Sequence, residues 1–384
     1  MRKIFIFLLV LMMVHCRERY DVPFPSPATG YLVVEGFINP AGSTVIKLSR
    51  STKLADRGIV QETGSVLQVQ GEDNSLFPLS ESAGGTYNTA DLQLNPAIRY
   101  RLHILTSTNK EYASSYKLPL ITPLIDSITW LRQNGGLDIF VNAHDANNNI
   151  QYYKWDYDES WEFHSKYHSN TIFQTHSTDN VIDQVIAVLY DSGKNNESIY
   201  KCWQFRKSSL INIASTASLS ADVVYVPLLR YPDASWELSF LYSINLKQYA
   251  LSKEGYEFYR KLKKNTESLG SIFDVQPSEI KGNITCVTDP GEQVIGYVEV
   301  STVNEKRKYI SNDELPGWNY NQGCEPAKVY LNIPATAYKL YVEGYHPFGG
   351  TTANDGSIIA FSVTKAECVK CTLRGTNIKP SYWP

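Results

Sequence analysis

The sequence predicts an all-β protein made of two β-sandwich domains of immunoglobulin or fibronectin type, the second carrying a helical insertion. Three observations carry this. Short segments rich in Val, Ile and Tyr alternate apolar with polar residues, the period of a strand with one buried face. Turn residues punctuate them, at Pro40–Gly42, Asn95–Pro96, Asn109 and Asn134–Gly136. Only one long stretch, about residues 252–270, has convincing helical spacing. At 384 residues the chain has surface enough for two cores. A net charge of −3 gives no electrostatic reason to expect nucleic acid as a partner.

Taken in order, residues 1–15, MRKIFIFLLVLMMVH, pair a basic start with an apolar run from Ile4 to Val14. That is a secretory signal, too short for a comfortable membrane span. Cys16 follows directly and is the expected lipidation site, although His15 stands where a small residue is usual. Residues 16–29 are charged, then Pro-rich, and read as an extended tether.

The first domain is expected over 30–123, from the alternating segments YLVVEGFI, STVIKLSR, SVLQVQGE, IRYRLHIL and KEYASSYKL. LPLITPLIDS links it to the second, over 124–384. That domain opens with a strand, a turn at Asn134–Gly136, a strand and a Tyr/Trp-rich strand, the front of a fibronectin-like sandwich. Its return strands are YKCWQFRKSSLINIAS, WELSFLYSI, IGYVEVST and KRKYIS.

The helix interrupts this pattern. Ser252 is its N-cap, with a hydroxyl for a free amide of the first turn. Tyr256, Tyr259, Leu262 and Leu269 form an apolar stripe expected to pack on the sheet. Lys261, Lys263 and Lys264 sit towards the end where the macrodipole favours cations, and Gly270 closes it.

No motif for catalysis survives. Gly84–Gly85 lacks the helix and lysine of a phosphate loop, and there is no nucleophile elbow or dinucleotide fingerprint. Asp145, Asn147 and Asn149 imitate the start of a calcium loop, but Ile150 replaces its turn glycine and Asp156 its final Glu. His164, His168 and His176 could supply imidazole ligands to zinc, but His164 and His168 are expected to share a face only in a helix, and their surroundings read as strand. Asp156, Asp158, Glu159 and Glu162, mixed with Trp155 and Trp161, form the best cluster for glycan cleavage or binding. In a strand Asp156 and Asp158 would face one way and Trp155 and Tyr157 the other. No catalytic residue, metal or cofactor is expected.

The helix, then SLGSIFDVQPSEIKGNI and GEQVIGYVEVSTVNEKRKYI, together with YLVVEGFI, ITPLIDSITW and ECVKCTLRGTNIKPSYW, resemble the Bacteroidota lipoproteins called domain of unknown function 4249. The likeness runs from about Leu32 to Trp383. It implies an outer-membrane lipoprotein of a kind often encoded beside a TonB-dependent transporter, with no established activity, and its motifs describe framework, not chemistry. The expected role is therefore a non-enzymatic binding partner of such a transporter. The alternative is a carbohydrate-binding or glycan-cleaving surface lipoprotein using the Trp155–Trp161 stretch.

Besides Cys16, five cysteines remain: Cys202, Cys286, Cys324, Cys368 and Cys371. In an exported chain they should oxidise where geometry permits, and an odd number leaves one over. The family-like tail is polar, so a disulfide is its expected tie. Cys371 or Cys368 should bond Cys324, with Cys202 competing. After the helix, Ile272, Phe273 and Val275 precede a proline and are the expected partner contact.

Overall fold

Alternation in the N-terminal half produces strands as expected, but they join one curled sheet instead of two facing ones. The computed structural model describes residues 30–52, 58–178, 181–267, 280–325 and 327–384. Its first unit is a ten-stranded sheet of nearly closed, barrel-like form. Leu32, Val34, Ile46, Leu48, Leu67, Val69, Leu102 and Ile104 turn inward and fill it with Tyr87, Tyr100 and Tyr112.

This sheet is not confined to residues 30–123. Ile284–Cys286 pairs antiparallel with Glu111–Ser114, and Val294–Gly296 pairs parallel with Leu32–Phe37. These two returning strands stand at opposite ends of the strand order and meet each other. The seam is tight: a Cβ on Gly282 would lie 1.7 Å from the Gly296 carbonyl oxygen. Only glycine admits that approach.

The second unit does pack sheet on sheet. Ile125–Gln133, Gly136–His144 and Val223–Pro232 form three strands. They face a five-stranded sheet of Lys201–Lys207, Tyr152–His164, Leu241–Ala250, Val303–Ser311 and Asn212–Ser215. The core between them holds Ile128, Leu137, Ile139, Val141, Trp155, Trp161, Tyr242, Ile244 and Leu246.

Two crossing segments tie the units together. Leu120 N donates to Val300 O at 2.8 Å and Thr302 N to Leu120 O at 3.0 Å. Thr122 N donates to Thr302 Oγ1 at 2.8 Å.

The helix, Lys253–Glu267, lies at this junction and touches both units. Ser252 caps it, its Oγ accepting from Gly255 N at 3.1 Å. Buried Glu299 holds the cap from below, accepting from Ser252 N at 2.9 Å and Ser252 Oγ at 2.7 Å. Burial pushes its carboxyl above the usual range. Gly255 makes room for it, since a Cβ there would meet Glu299 Oε2 at 2.7 Å. Tyr256 packs on Tyr152 of the sheet, whereas Phe258 packs on Tyr297 and Tyr259 on Phe37 of the barrel. The stripe thus bridges two units instead of lying on one sheet. Leu269 and Gly270 are outside the described residues, as are the signal, the tether and Cys16.

A third, small core was not anticipated. The hairpin Thr171–Thr178 and Val181–Leu189 packs with helix Pro334–Val342 and strands Lys328–Leu331, Tyr345–Thr352 and Ile358–Lys365. Val185, Ala337, Leu340, Phe361 and Val363 fill it. No described helix is long and apolar enough to cross a membrane.

Candidate functional site

Tyr152–His164 is the longest strand among the described residues, and its alternation decides what the acidic cluster can do. Tyr153, Trp155, Tyr157, Trp161 and Phe163 point into the core. Trp155 and Trp161 are 1% and 2% exposed, so neither can serve as a sugar platform. That expectation is corrected: a strand covered on its inner face by a second sheet buries whichever set contains its largest apolar rings. Glu159 shares the inner face. It accepts from the Tyr242 hydroxyl at 2.7 Å, from the Tyr231 hydroxyl, and from Arg206 Nε at 2.9 Å. Its hydrogen bond keeps the Arg206 guanidinium firmly protonated.

Lys154, Asp156, Asp158, Ser160, Glu162 and His164 take the outer face, by strand alternation. Asp156 pairs with Lys154 at 2.5 Å, and Asp158 with Lys247 at 3.3 Å. A glycosidase needs an acid and a base on either side of the scissile bond. Here Asp156, Asp158 and Glu162 lie along one side of one strand, each engaged by a lysine, and Glu159 lies on the other, held by Arg206.

Both ends of this outer face are covered. At one end Lys154 Nζ sits 5.2–5.5 Å from the ring centres of Phe37, Tyr249 and Tyr259. This cation–π cage joins barrel, sheet and helix. At the other end the C-terminal segment crosses the strands. Trp383 donates its indole N–H to Glu162 Oε2 at 3.1 Å. The other carboxylate oxygen accepts from His164 Nε2 and Lys201 Nζ, both at 2.9 Å. Burial would raise the Glu162 carboxyl, but these partners hold it down at about 2. It is a fixed acceptor, not a general acid.

The remaining candidates resolve into local structure. The Asp145 carboxylate accepts from the backbone of Asn147, Asn149 and Ile150 at 2.8–3.0 Å, an Asx-type turn. His168 stacks on Tyr200 and His164 lies tilted against it, while His176 pairs with Asp183 in the separate hairpin. Among the described residues, no group of three or more His, Cys, Asp or Glu could hold a metal ion.

Cys202 bonds Cys371 and Cys324 bonds Cys368, with Cα–Cα distances of 5.7 and 5.9 Å. Cys286 stays reduced and buried in the barrel. Ile272, Phe273 and Val275 lie outside the described residues. What sequence reading missed is the covered end of the outer face: Trp203, Tyr309, Tyr382 and Trp383. The available signal was the Tyr-Trp pair in an otherwise polar tail.

Among curated proteins none matches this chain. Solved structures give remote likenesses, each at 9% identity. A mutant α-2-macroglobulin from Salmonella covers 63% of this chain at a TM-score of 0.18, and this chain spans only 15% of its length. A putative carbohydrate binding protein from Bacteroides uniformis covers 59%, with 93% of its own length, at 0.15. A biofilm associated protein B domain covers 73%, with 86% of its own length, at 0.14. None of these scores supports an argument about fold or function. The family comparison is different in kind, because one family pattern matches residues 17–307, and this chain belongs to that family, described as domain of unknown function 4249.

Proposed function

We propose that this protein is an exported, lipid-anchored outer-membrane protein that binds a partner and carries out no chemistry. The observation that carries the reading is Cys16, placed directly after a basic and apolar leader and before a Pro-rich tether. Two disulfides fit an oxidising compartment, which supports export. The best acidic cluster is consumed by ion pairs and tyrosines, which favours binding over catalysis. The Bacteroidota family resemblance supplies the partner class, a TonB-dependent transporter. The loop with Ile272, Phe273 and Val275 is the proposed contact. For the second unit we keep the fibronectin-like description, on the strength of its two facing sheets.

The test is fractionation of Cys16→Ser. Multiple acyl chains hold a protein stably on a bilayer. The variant should leave the membrane fraction, and transporter recovery from native membranes should fall with it. A variant that still sediments with salt-washed membranes would sink the anchor.

A further inference from the structure

A strand at the end of a sheet offers unpaired amides and carbonyls to any second strand, and proteins usually guard it. Several edges of this chain are guarded. Val223–Pro232 carries Pro227 and a register shift, Lys201–Lys207 is bridged by Thr376, and Val303–Ser311 carries Lys306, Arg307 and Lys308 in a row. In the small third unit the sheet order is Lys328–Leu331, Ile358–Lys365, Tyr345–Thr352. The Tyr345–Thr352 edge has Pro347 and two register shifts. It is also covered, since Ser169 Oγ donates to Pro347 O at 3.0 Å and Asn170 N to Phe348 O at 3.2 Å.

Lys328–Leu331, at the opposite edge, has none of these devices. It pairs on one side, with Ile358–Lys365, from Lys328 opposite Val363 to Leu331 opposite Ala360. Asn332 N continues that ladder, donating to Ile359 O at 2.9 Å. Bonding alternates along an antiparallel ladder, so the backbone amide groups of Val329 and Leu331 are turned to the open side. Tyr330 packs on the core against Phe361, whereas Val329 and Leu331 are 68% and 65% exposed. Two apolar side chains thus stand in solvent on a bare edge.

We propose that Lys328–Leu331 pairs antiparallel with the same strand of a second copy of this chain, joining two three-stranded sheets into one. The strand is self-complementary about Tyr330. With Tyr330 opposite its own copy, Val329 of each chain lies opposite Leu331 of the other and Lys328 opposite Asn332, so no like charges meet. The outward amide groups of Val329 and Leu331 then exchange bonds, and both exposed side chains gain an apolar neighbour on the same face. The Leu331 carbonyl also accepts from Ile333 N at 2.9 Å and has a second lone pair for this contact. A slip of one residue would set Val329 against Tyr330, an outward side chain against an inward one. A patch that matches itself closes at two copies, and this self-match favours a second copy over an unrelated strand. The pairing goes beyond the partner role proposed above and does not depend on the anchor.

The test uses full chains exported with Cys16→Ser, which carry no acyl group and keep both disulfides. Sedimentation equilibrium should find a reversible monomer–dimer equilibrium in the micromolar range, the strength suited to a small contact. Val329→Lys charges the edge without touching the core. It should weaken dimerisation at least about tenfold and leave the melting temperature unchanged. Register is read from Val329→Cys and Leu331→Cys, prepared separately. Mild oxidation should cross-link the two when mixed, because opposed residues lie about 5.5 Å apart at Cα, within disulfide reach. Neither alone should cross-link, since like positions then stand two residues out of register. The proposal is overturned if the chain stays monomeric throughout the micromolar range, or if Val329→Lys dimerises like the unmodified chain. It is equally overturned if single and mixed cysteine variants cross-link alike.

Discussion

Asn283 pairs with Val298 as one strand pairs with another. Its side-chain amide donates to Val298 O at 2.8 Å, and its Oδ1 accepts from Val298 N at 2.9 Å. The two ends of the barrel sheet are stitched at this point by a side chain imitating a peptide group. Asn283→Ala removes both bonds and strands a backbone donor and acceptor. A loss of about 2 kcal/mol follows from the usual cost of such groups. Urea denaturation measures it, and an unchanged midpoint would show that the seam contributes nothing.

His346 makes stability depend on pH within a definable window. Burial, reinforced by Lys370, pushes the imidazole down to about 4 from an ordinary value near 6.5. The unfolded chain therefore takes up the proton first. Stability from this group is complete above about 6.5 and is lost as pH falls towards 4, by on the order of 3 kcal/mol in all. Glu162 acts lower, its contribution being lost as pH falls from the ordinary carboxyl range towards 2. His346→Gln should flatten the profile between pH 6.5 and 4.5 and leave the lower limb in place. Parallel profiles for variant and unmodified protein would refute the assignment.

The Cys202–Cys371 bond closes a loop with a sequence separation of 169. In the chain-entropy treatment a loop of that order is worth about 5 kcal/mol. Peptide mapping of exported protein should recover Cys202 joined to Cys371 and Cys324 joined to Cys368, with Cys286 alkylated only after unfolding. Cys202→Ser should lower the thermal midpoint by many degrees. Recovery of Cys202 as a free thiol would remove this frame.

Phe273→Ala separates two uses of the loop after the helix. If Phe273 docks a partner, the variant keeps its melting temperature and loses transporter recovery. If recovery falls only in proportion to folded protein, the residue is packing, and the contact proposed for Ile272, Phe273 and Val275 is wrong.

Local features of this fold were legible in the residues, and long-range ones were not. The Ser252 cap and the opposite orientations of Trp155 and Asp156 follow from hydroxyl chemistry and strand alternation. Which face of Tyr152–His164 met solvent did not follow, because helix and tail cover the polar side as well. Ile284–Cys286 and Val294–Gly296 look like strands of whatever domain surrounds them in sequence. Their return to the barrel depends on Gly282, Gly296 and Asn283 meeting across the seam, a non-local match that no periodicity records. The small third core escaped for a similar reason, since its two parts lie more than a hundred residues apart.

The barrel's first strand also defines a path for force. Leu32–Phe37 is flanked by Val45–Arg50 antiparallel on one side and by Val294–Gly296 parallel on the other. Tension entering at Gly30 runs along this strand, so its ladder bonds are loaded together in shear instead of being peeled one by one. The last of them hands the load through Ile38, bonded to Glu299 and Ser301, to the segment that enters the second unit. Load applied at Gly30 along the strand thus meets the ladder bonds on both sides of Leu32–Phe37 before it reaches the second unit.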